Sequence, residues 1–303
     1  MARVFVTREL PFPALDRLRA AHEVGVWPER MPPPPAALRA AAADAEGLLT
    51  MLTDRVDAEL LAAAPRLRAV ANLAVGTDNV DLEAAAARGV AVGRTPDVLT
   101  DATADLAFAL LLAAARRLPQ GEAAVRAGDW ITWEPAGDLG VEVTGATLGI
   151  VGWGRIGQAV ARRAAGFGME VVHSKPTPLE ELLERADFVS LHVPLTPATR
   201  HLIDAAALAR MKPTAILVNT ARGPVVDQRA LAAALHAGTI AGAALDVTDP
   251  EPLPPADPLL DAPNALVVPH IGSATVRTRS RMADLAVDNL LAALAGEPMP
   301  HPA

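Results

Sequence analysis

His270, Glu251 and Arg222 are three residues whose types suit one another chemically. A histidine can donate a proton near neutral pH, a carboxylate beside it favours the charged imidazole, and an arginine offers a planar fork to a carboxylate ligand. They lie in three segments of one design, each an apolar run whose carboxyl end carries polar groups. AILVNTARG ends on Asn219, Thr220 and Arg222, AGAALDVTDPEP on Asp246 and Glu251, and NALVVPHIGSAT on His270 and Ser273. Singly, each has an ordinary structural explanation. Together they supply a cation for a carboxylate, a proton donor and an acid to orient that donor. Glu251 sits in DVTDPEPLP, residues 246–254, where proline at high density fixes the backbone around the acid.

A second constellation concerns phosphate. TLGIVGWGRIGQAVARR carries Gly152, Gly154 and Gly157 in the G-x-G-x-x-G spacing, with Arg155 and Ile156 between them. A predicted strand precedes it and a predicted helix follows, which is the context a dinucleotide-binding turn requires. Its glycines permit a tight turn and a close pyrophosphate approach at a helix N-terminus. The acid that bonds a ribose 2′-hydroxyl about twenty residues onward is absent. VVHSKPTP instead offers Ser174 and Lys175, one of only two lysines in the chain. A small hydroxyl beside a cation suits the 2′-phosphate of NADP(H).

The elements that must position these residues read as α/β throughout. RVFVT, EGLLTML, LRAVANLAV and GVAVG read as strands, separated by the helical ALDRLRAAH, PAALRAAAADA, DAELLAAA and DLEAAAARG. MPPPP at 31–35 reads as a stiff turn before a helix. TPDVLTDATADLAFALLLAAARRLP reads as one long helix capped by Thr100 or Asp101 and ended near Pro119, and GDWITWEP as a turn-rich patch. A second series follows: TLGIVGW, MEVVHS, DFVSLHV, AILVNTA, AGAALDV and NALVVPH, mostly continuous apolar runs of the kind covered on both faces of a parallel sheet. RSRMADLAVDNLLAALAG closes the chain as an amphipathic helix. At 303 residues, two α/β domains are expected, the second the larger.

Composition bounds the partners. A hydrophobic fraction of 51% with 3% aromatic residues points to aliphatic packing. A formal charge of −8 provides no general attraction for nucleic acid or anionic membrane. With no cysteine there is no disulfide or thiolate chemistry. The N-terminus does not read as a signal peptide, and the most apolar stretch, Leu106 to Ala115, is too short to span a bilayer. A cytoplasmic protein with no membrane partner and no metal is expected.

GWGRIGQAVARR, NTARGPVVD, LDVTDPEPLP and PHIGSAT, in this order over nearly the whole chain, resemble the signature blocks of the D-isomer-specific 2-hydroxyacid dehydrogenases. TPDVLTDATADLAFALLLAAARRLP, WITWEP and GEPMP are similar to the glyoxylate/hydroxypyruvate reductases of that family. The resemblance implies two doubly wound parallel-sheet domains. A Rossmann cofactor domain, residues 98–275, would be inserted in a smaller flavodoxin-like substrate domain, residues 1–97 and 276–303, with the cleft closing over the substrate.

It further implies that Arg222, Glu251 and His270 are catalytic. Glu251 would orient His270, His270 would donate to the carbonyl oxygen, and Arg222 would hold the substrate carboxylate. Thr103, Pro194, Thr220, Asp246 and Gly272 would join the glycine turn, Ser174 and Lys175 in binding the cofactor, with Asp246 receiving the nicotinamide carboxamide. The backbone amides of Val75 and Gly76, in NLAVGTDNVD, would cradle the substrate carboxylate. Trp133, in WITWEP, would reach the partner subunit's cleft in a homodimer, with Trp130 the other candidate.

Departures from sister activities narrow the substrate. Val75 stands where phosphite-oxidising relatives carry lysine, formate-oxidising relatives lack the Glu–His pairing, and GLLTMLTD lacks the arginine of phosphoglycerate-oxidising relatives. The expected activity is reduction of glyoxylate and hydroxypyruvate to glycolate and D-glycerate with NADPH. Only three residues separate Lys175 from LEELLERAD, without the second cation such reductases often place there, so use of NAD(H) stays open. Another small D-2-hydroxy acid, or a dinucleotide-sensing corepressor-like role, are the alternatives.

Overall fold

The computed structural model describes residues 1–10 and 12–303. The chain divides into two compact units, Met1–Leu99 with Ala274–Ala303, and Thr100–Ser273.

The first unit is a five-stranded parallel sheet. Its elements are β1 (Arg3–Val6), α1 (Ala14–Ala21), β2 (Glu23–Val26), α2 (Pro35–Ala42), β3 (Gly47–Thr50), α3 (Ala58–Ala63), β4 (Ala69–Asn72), α4 (Leu82–Ala87) and β5 (Ala91–Gly93). The order β2-β1-β3-β4-β5 reverses direction between β1 and β3. β3 and β4 are buried along their whole length, apolar until they end on Thr50 and Asn72, whose buried side chains pair with each other. β2, by contrast, alternates exposed and half-buried positions at the sheet edge, and its four residues EVGV carry no continuous apolar run. The strand was not expected from the sequence for that reason. Asp57 and Asp81 cap α3 and α4 by accepting from the amides of Leu60 and Ala84. The C-terminal helix α11 (Val276–Ala295) returns to this unit and packs on β3 and β4.

The second unit holds α5 (Thr100–Ala115), α6 (Leu118–Ala127), β6 (Thr147–Val151), α7 (Arg155–Ala165), β7 (Glu170–His173), α8 (Leu179–Arg185), β8 (Phe188–Leu191), α9 (Ala205–Arg210), β9 (Ile216–Asn219), α10 (Gln228–His236), β10 (Gly242–Leu245) and β11 (Ala265–Val267). All six strands are parallel in the order β11-β10-β9-β8-β6-β7, so the winding reverses between β6 and β8. Leu148, Ile150, Phe188, Leu191 and Leu217 are buried in this sheet, and each such side chain contributes roughly 1.5–3 kcal/mol by leaving water.

The expected single helix through residue 119 is two. Arg117 adopts a left-handed conformation (φ 52°) that breaks the rod after α5, and Pro119 lies in the first turn of α6, where its missing amide hydrogen costs nothing. Residues 128–146 then run without helix or strand.

Candidate active site

Three loops leave the carboxyl ends of β9, β10 and β11 and are locked to one another largely through backbone. After β9, the buried Asn219 accepts the Ala221 amide with its side-chain oxygen (2.9 Å) and donates its Nδ2 to the Arg222 carbonyl (2.9 Å). One side chain thus fixes the turn on both sides of Arg222, whose Nη1 donates to the Ala221 carbonyl at 2.8 Å. The next residue is Gly223 for a steric reason. A Cβ there would lie 1.9 Å from the carbonyl oxygen of Thr248, so the loop after β10 rests directly on the arginine loop. The Asp249 amide donates to Oε1 of Gln228 (2.9 Å) and makes a second tie between the two segments.

Within the loop after β10, the Thr248 amide donates to Glu251 Oε1 (3.1 Å) and its hydroxyl donates to the Pro250 carbonyl (2.8 Å). The peptides preceding Pro250 and Pro252 are cis. The other carboxylate oxygen, Oε2, lies 2.9 Å from Nδ1 of His270. An ionised carboxylate only accepts, so Nδ1 carries the proton in this pair and Nε2 is the nitrogen left for chemistry. Both side chains keep some solvent exposure, 31% and 26%.

Asp246 holds the third loop. Its own carbonyl accepts the His270 amide (2.9 Å), and its carboxylate oxygens accept the amides of Ile271 (2.6 Å) and Gly272 (2.8 Å). Burial pushes this carboxyl above the usual carboxylate range, opposed by those two amides and by the His270 side chain, while Glu251 pushes the same way as burial. His270 itself adopts φ 52°, a left-handed conformation uncommon for a non-glycine residue, and the Asp246 clamp on either side of it supplies the restraint. Gly272 leaves room for the clamp, since a Cβ there would sit 2.9 Å from Asp246 Oδ2 and 3.5 Å from Thr103 on α5. Thr103 is buried.

The glycine turn lies at the reversal of the second sheet. Gly152 has φ +104°, and a Cβ on it would come within 2.6 Å of the His192 carbonyl at the end of β8. Gly157 abuts the turn itself, its would-be Cβ 2.2 Å from the Gly152 carbonyl oxygen. Gly154, the N-cap of α7, has nothing within 4 Å of a Cβ position, so the space before that helix is open. Arg155 and Ile156 begin α7, Ile156 packed inward against the core. The Gly152 amide donates to Ser174 Oγ (3.0 Å), which ties the turn to the end of β7. Lys175 is exposed and, among the described residues, makes no ion pair. Trp153 stacks on His173, ring centroids 3.7 Å apart. Pro194, exposed after β8, accepts the Thr199 hydroxyl at 2.6 Å with its carbonyl.

Burial pushes His192 down to about 4, leaving a neutral ring near pH 7 with Nε2 2.8 Å from Ser190 Oγ. The buried Thr220 hydroxyl has no protein partner, and the open space at Gly154 before α7 is the kind of cradle that a dinucleotide's pyrophosphate fills. The residues present fit that group. Among the described residues, no cluster of three His, Asp or Glu side chains is placed to hold a metal ion, and no helix is long and apolar enough to cross a membrane.

Val75 and Gly76 lie in the first unit, after β4. Trp130 and Trp133 are 69% and 79% exposed, flanking Ile131 at 92%. Within one chain neither tryptophan is a packing residue. The steric role of Gly223 and the clamping role of Asp246 are not legible in the sequence, because one depends on backbone meeting backbone and the other on a carboxylate meeting amides, both across distant segments.

Residues 108–272 match the family signature described as D-isomer specific 2-hydroxyacid dehydrogenase, NAD binding domain. A curated glyoxylate reductase of Korarchaeum cryptofilum (strain OPF8) is 51% identical over 314 residues, covering 99% of this chain and 95% of its own. The crystal structure of the TT0316 protein from Thermus thermophilus superposes with a TM-score of 0.94 at 54% identity, covering 99% of both chains. An NADPH-dependent glyoxylate/hydroxypyruvate reductase of Sinorhizobium meliloti, solved with NADP and malonate, gives 0.88 at 36% identity, covering 100% of this chain and 96% of its own.

Proposed function

The chain belongs to the D-isomer specific 2-hydroxyacid dehydrogenase family, and on that premise we propose that it reduces glyoxylate and hydroxypyruvate to glycolate and D-glycerate, with NADPH preferred. The observation that carries the reading is the His270–Glu251 pair at 2.9 Å, set beside the Arg222 loop by the Gly223–Thr248 approach. When bound, the reduced nicotinamide supplies hydride to the substrate's carbonyl carbon. His270 holds a proton at Nε2 and gives it to the developing alkoxide oxygen, a general-acid contribution of typically ~10²–10⁴-fold. Glu251 keeps the ring oriented and balances its charge through Nδ1. Arg222 engages the substrate carboxylate, for which its planar fork is better suited than lysine, and the amides of Val75 and Gly76 bind the same carboxylate.

The second unit holds the dinucleotide through the glycine turn with Arg155 and Ile156, and through Thr103, Pro194, Thr220, Asp246 and Gly272. Ser174 and Lys175 supply a hydroxyl and a cation for a 2′-phosphate, and the NADP named with the Sinorhizobium relative supports that choice. The exposed segment bearing Trp130, Ile131 and Trp133 packs on a second copy of the chain, and Trp133 shapes the partner's substrate site. An apolar run this exposed is a normal interface signature. The enzyme works in the cytoplasm, a reading consistent with the absence of cysteine from the chain.

Initial rates with glyoxylate and hydroxypyruvate, each with NADPH and NADH, test the reading. Faster turnover with NADPH supports it. Equal or better rates with NADH would reject the preference, and no rate with any pairing would reject the reductase.

A further inference from the structure

We infer that Asn72 and Asn79 form a carboxamide clasp that positions the Val75–Gly76 segment for the substrate carboxylate, an inference that rests on the reductase reading above. Asn72, fully buried at the end of β4, faces Asn79 reciprocally. Its Nδ2 donates to Asn79 Oδ1 at 2.9 Å, and Asn79 Nδ2 returns a bond to Asn72 Oδ1 at 3.2 Å. The remaining hydrogen-bonding capacity reaches three backbone carbonyls. Asn72 donates to Gly76 (3.0 Å), and Asn79 to Met51 (3.1 Å) and Asp54 (2.8 Å), its two N–H groups being shared among three acceptors. Thr50 Oγ1 donates to Asn72 Oδ1 at 3.2 Å and completes the pair.

Two loops are therefore tied together, residues 51–54 after β3 and residues 73–79 after β4. The first is anchored in turn by Asp54, whose carboxylate accepts the Met51 amide (2.7 Å) and the Thr7 hydroxyl at the end of β1. The second carries the peptide groups of interest. The Ala74 carbonyl accepts the Thr95 amide (2.8 Å), which fixes the plane containing the Val75 N–H. The Gly76 carbonyl is fixed by Asn72. The Val75–Gly76 peptide, which carries the Gly76 N–H, lies between these two held planes. Among the described residues, neither the Val75 nor the Gly76 amide donates to an acceptor of the chain. A buried pair of carboxamides with every N–H and oxygen engaged specifies one geometry, and removing one member leaves backbone carbonyls unpaired.

The test is steady-state kinetics of the full chain with varied glyoxylate at saturating cofactor, alongside cofactor affinity from nucleotide fluorescence. Asn79→Ala is expected to raise the KM for glyoxylate about tenfold, the effect of opening one buried hydrogen-bond set, with kcat and cofactor affinity little changed. Asn72→Ala should behave alike, and the double variant should lose no more than the worse single one, since the two act as a unit. Thr50→Val removes one donor at constant volume and should raise KM by about threefold. It keeps the question answerable if the alanine variants fail to fold. Folded variants with wild-type KM would overturn the clasp. So would a uniform loss of stability, kcat and cofactor affinity, which is what a purely structural role gives. Absence of turnover in the wild-type chain would instead overturn the reductase reading on which the clasp depends.

Discussion

The imidazole Nδ1 of His270 stands 2.9 Å from Oε2 of Glu251, although nineteen positions separate the two residues in the chain. Glu251 is itself held by the Thr248 amide on its other oxygen, and His270 by the Asp246 clamp, so both partners are fixed from behind. Replacing His270 by Ala should lower kcat by ~10²–10⁴-fold while leaving cofactor affinity intact. Glu251→Gln keeps an oxygen for the Thr248 amide but loses the charge, so a smaller fall in kcat is expected. Near-normal kcat in His270→Ala would remove the residue from proton transfer.

Gly223 should tolerate no side chain. A methyl group 1.9 Å from the Thr248 carbonyl oxygen meets backbone that cannot swing aside. Gly223→Ala should cost about 1–3 kcal/mol of stability by overpacking. By displacing Arg222 from the pair it should also lower kcat by about 10²-fold. Denaturant midpoints and kinetics on the same preparation read both, and a variant with unchanged values would mean that the two loops have slack.

How far these features were legible depends on whether they are written locally. The parallel strands β3, β4, β8, β9 and β10 are short runs buried end to end, and the glycine turn lies between a strand and a helix, so pattern alone found them. β2 escaped because an edge strand of four residues with half its positions exposed looks like a loop. Pro119 reads in the sequence as an end and is in the structure a beginning, since proline suits the first turn of α6 as well as a stop after α5. The candidate site residues His270, Glu251 and Arg222 stand out by their type and strand-end placement. The groups that brace them, Asn219, Gly223, Thr248 and the Asp246 carboxylate, owe their effect to how the loops meet in space. Gly223 lies against Thr248 and Asp246 against Gly272, contacts between distant segments for which no spacing rule exists.

Lys175 projects from the loop after β7 with no competing ion-pair partner among the described residues. If it meets a 2′-phosphate, Lys175→Ala should raise the KM for NADPH by about tenfold, the loss expected of one charge-assisted contact. The KM for NADH should not move. Parallel titrations of the two cofactors decide the matter, and equal effects on both would make Lys175 a general electrostatic contributor.

Trp133 is too exposed to stabilise its own chain, so its removal should leave the monomer's fold unaffected. Trp133→Ala should lower kcat/KM for hydroxypyruvate by about tenfold, as loss of an apolar wall does, and that for glyoxylate by much less. Sedimentation of the wild type and the variant reports whether the proposed subunit contact forms and whether it needs Trp133. Equal losses on the two substrates would confine Trp133 to assembly.

His192 gives the chain a pH dependence whose sign can be worked out. Its ordinary value is 6.5, and burial brings it to about 4 in the folded state. Between those values the unfolded chain binds a proton that the folded chain does not. Acidification therefore favours unfolding, and the stability present above pH 6.5 is lost as pH falls toward 4. The full span is worth up to about 3 kcal/mol for this one residue. A His192→Gln variant can still pair with Ser190 but cannot titrate. Its urea-unfolding free energy should therefore fall less than that of the wild type over this range. The difference between the two curves should change steadily between pH 6.5 and 4 and level off below it. Parallel curves would show that His192 is protonated as readily in the folded chain as in the unfolded one, and would place the acid sensitivity elsewhere.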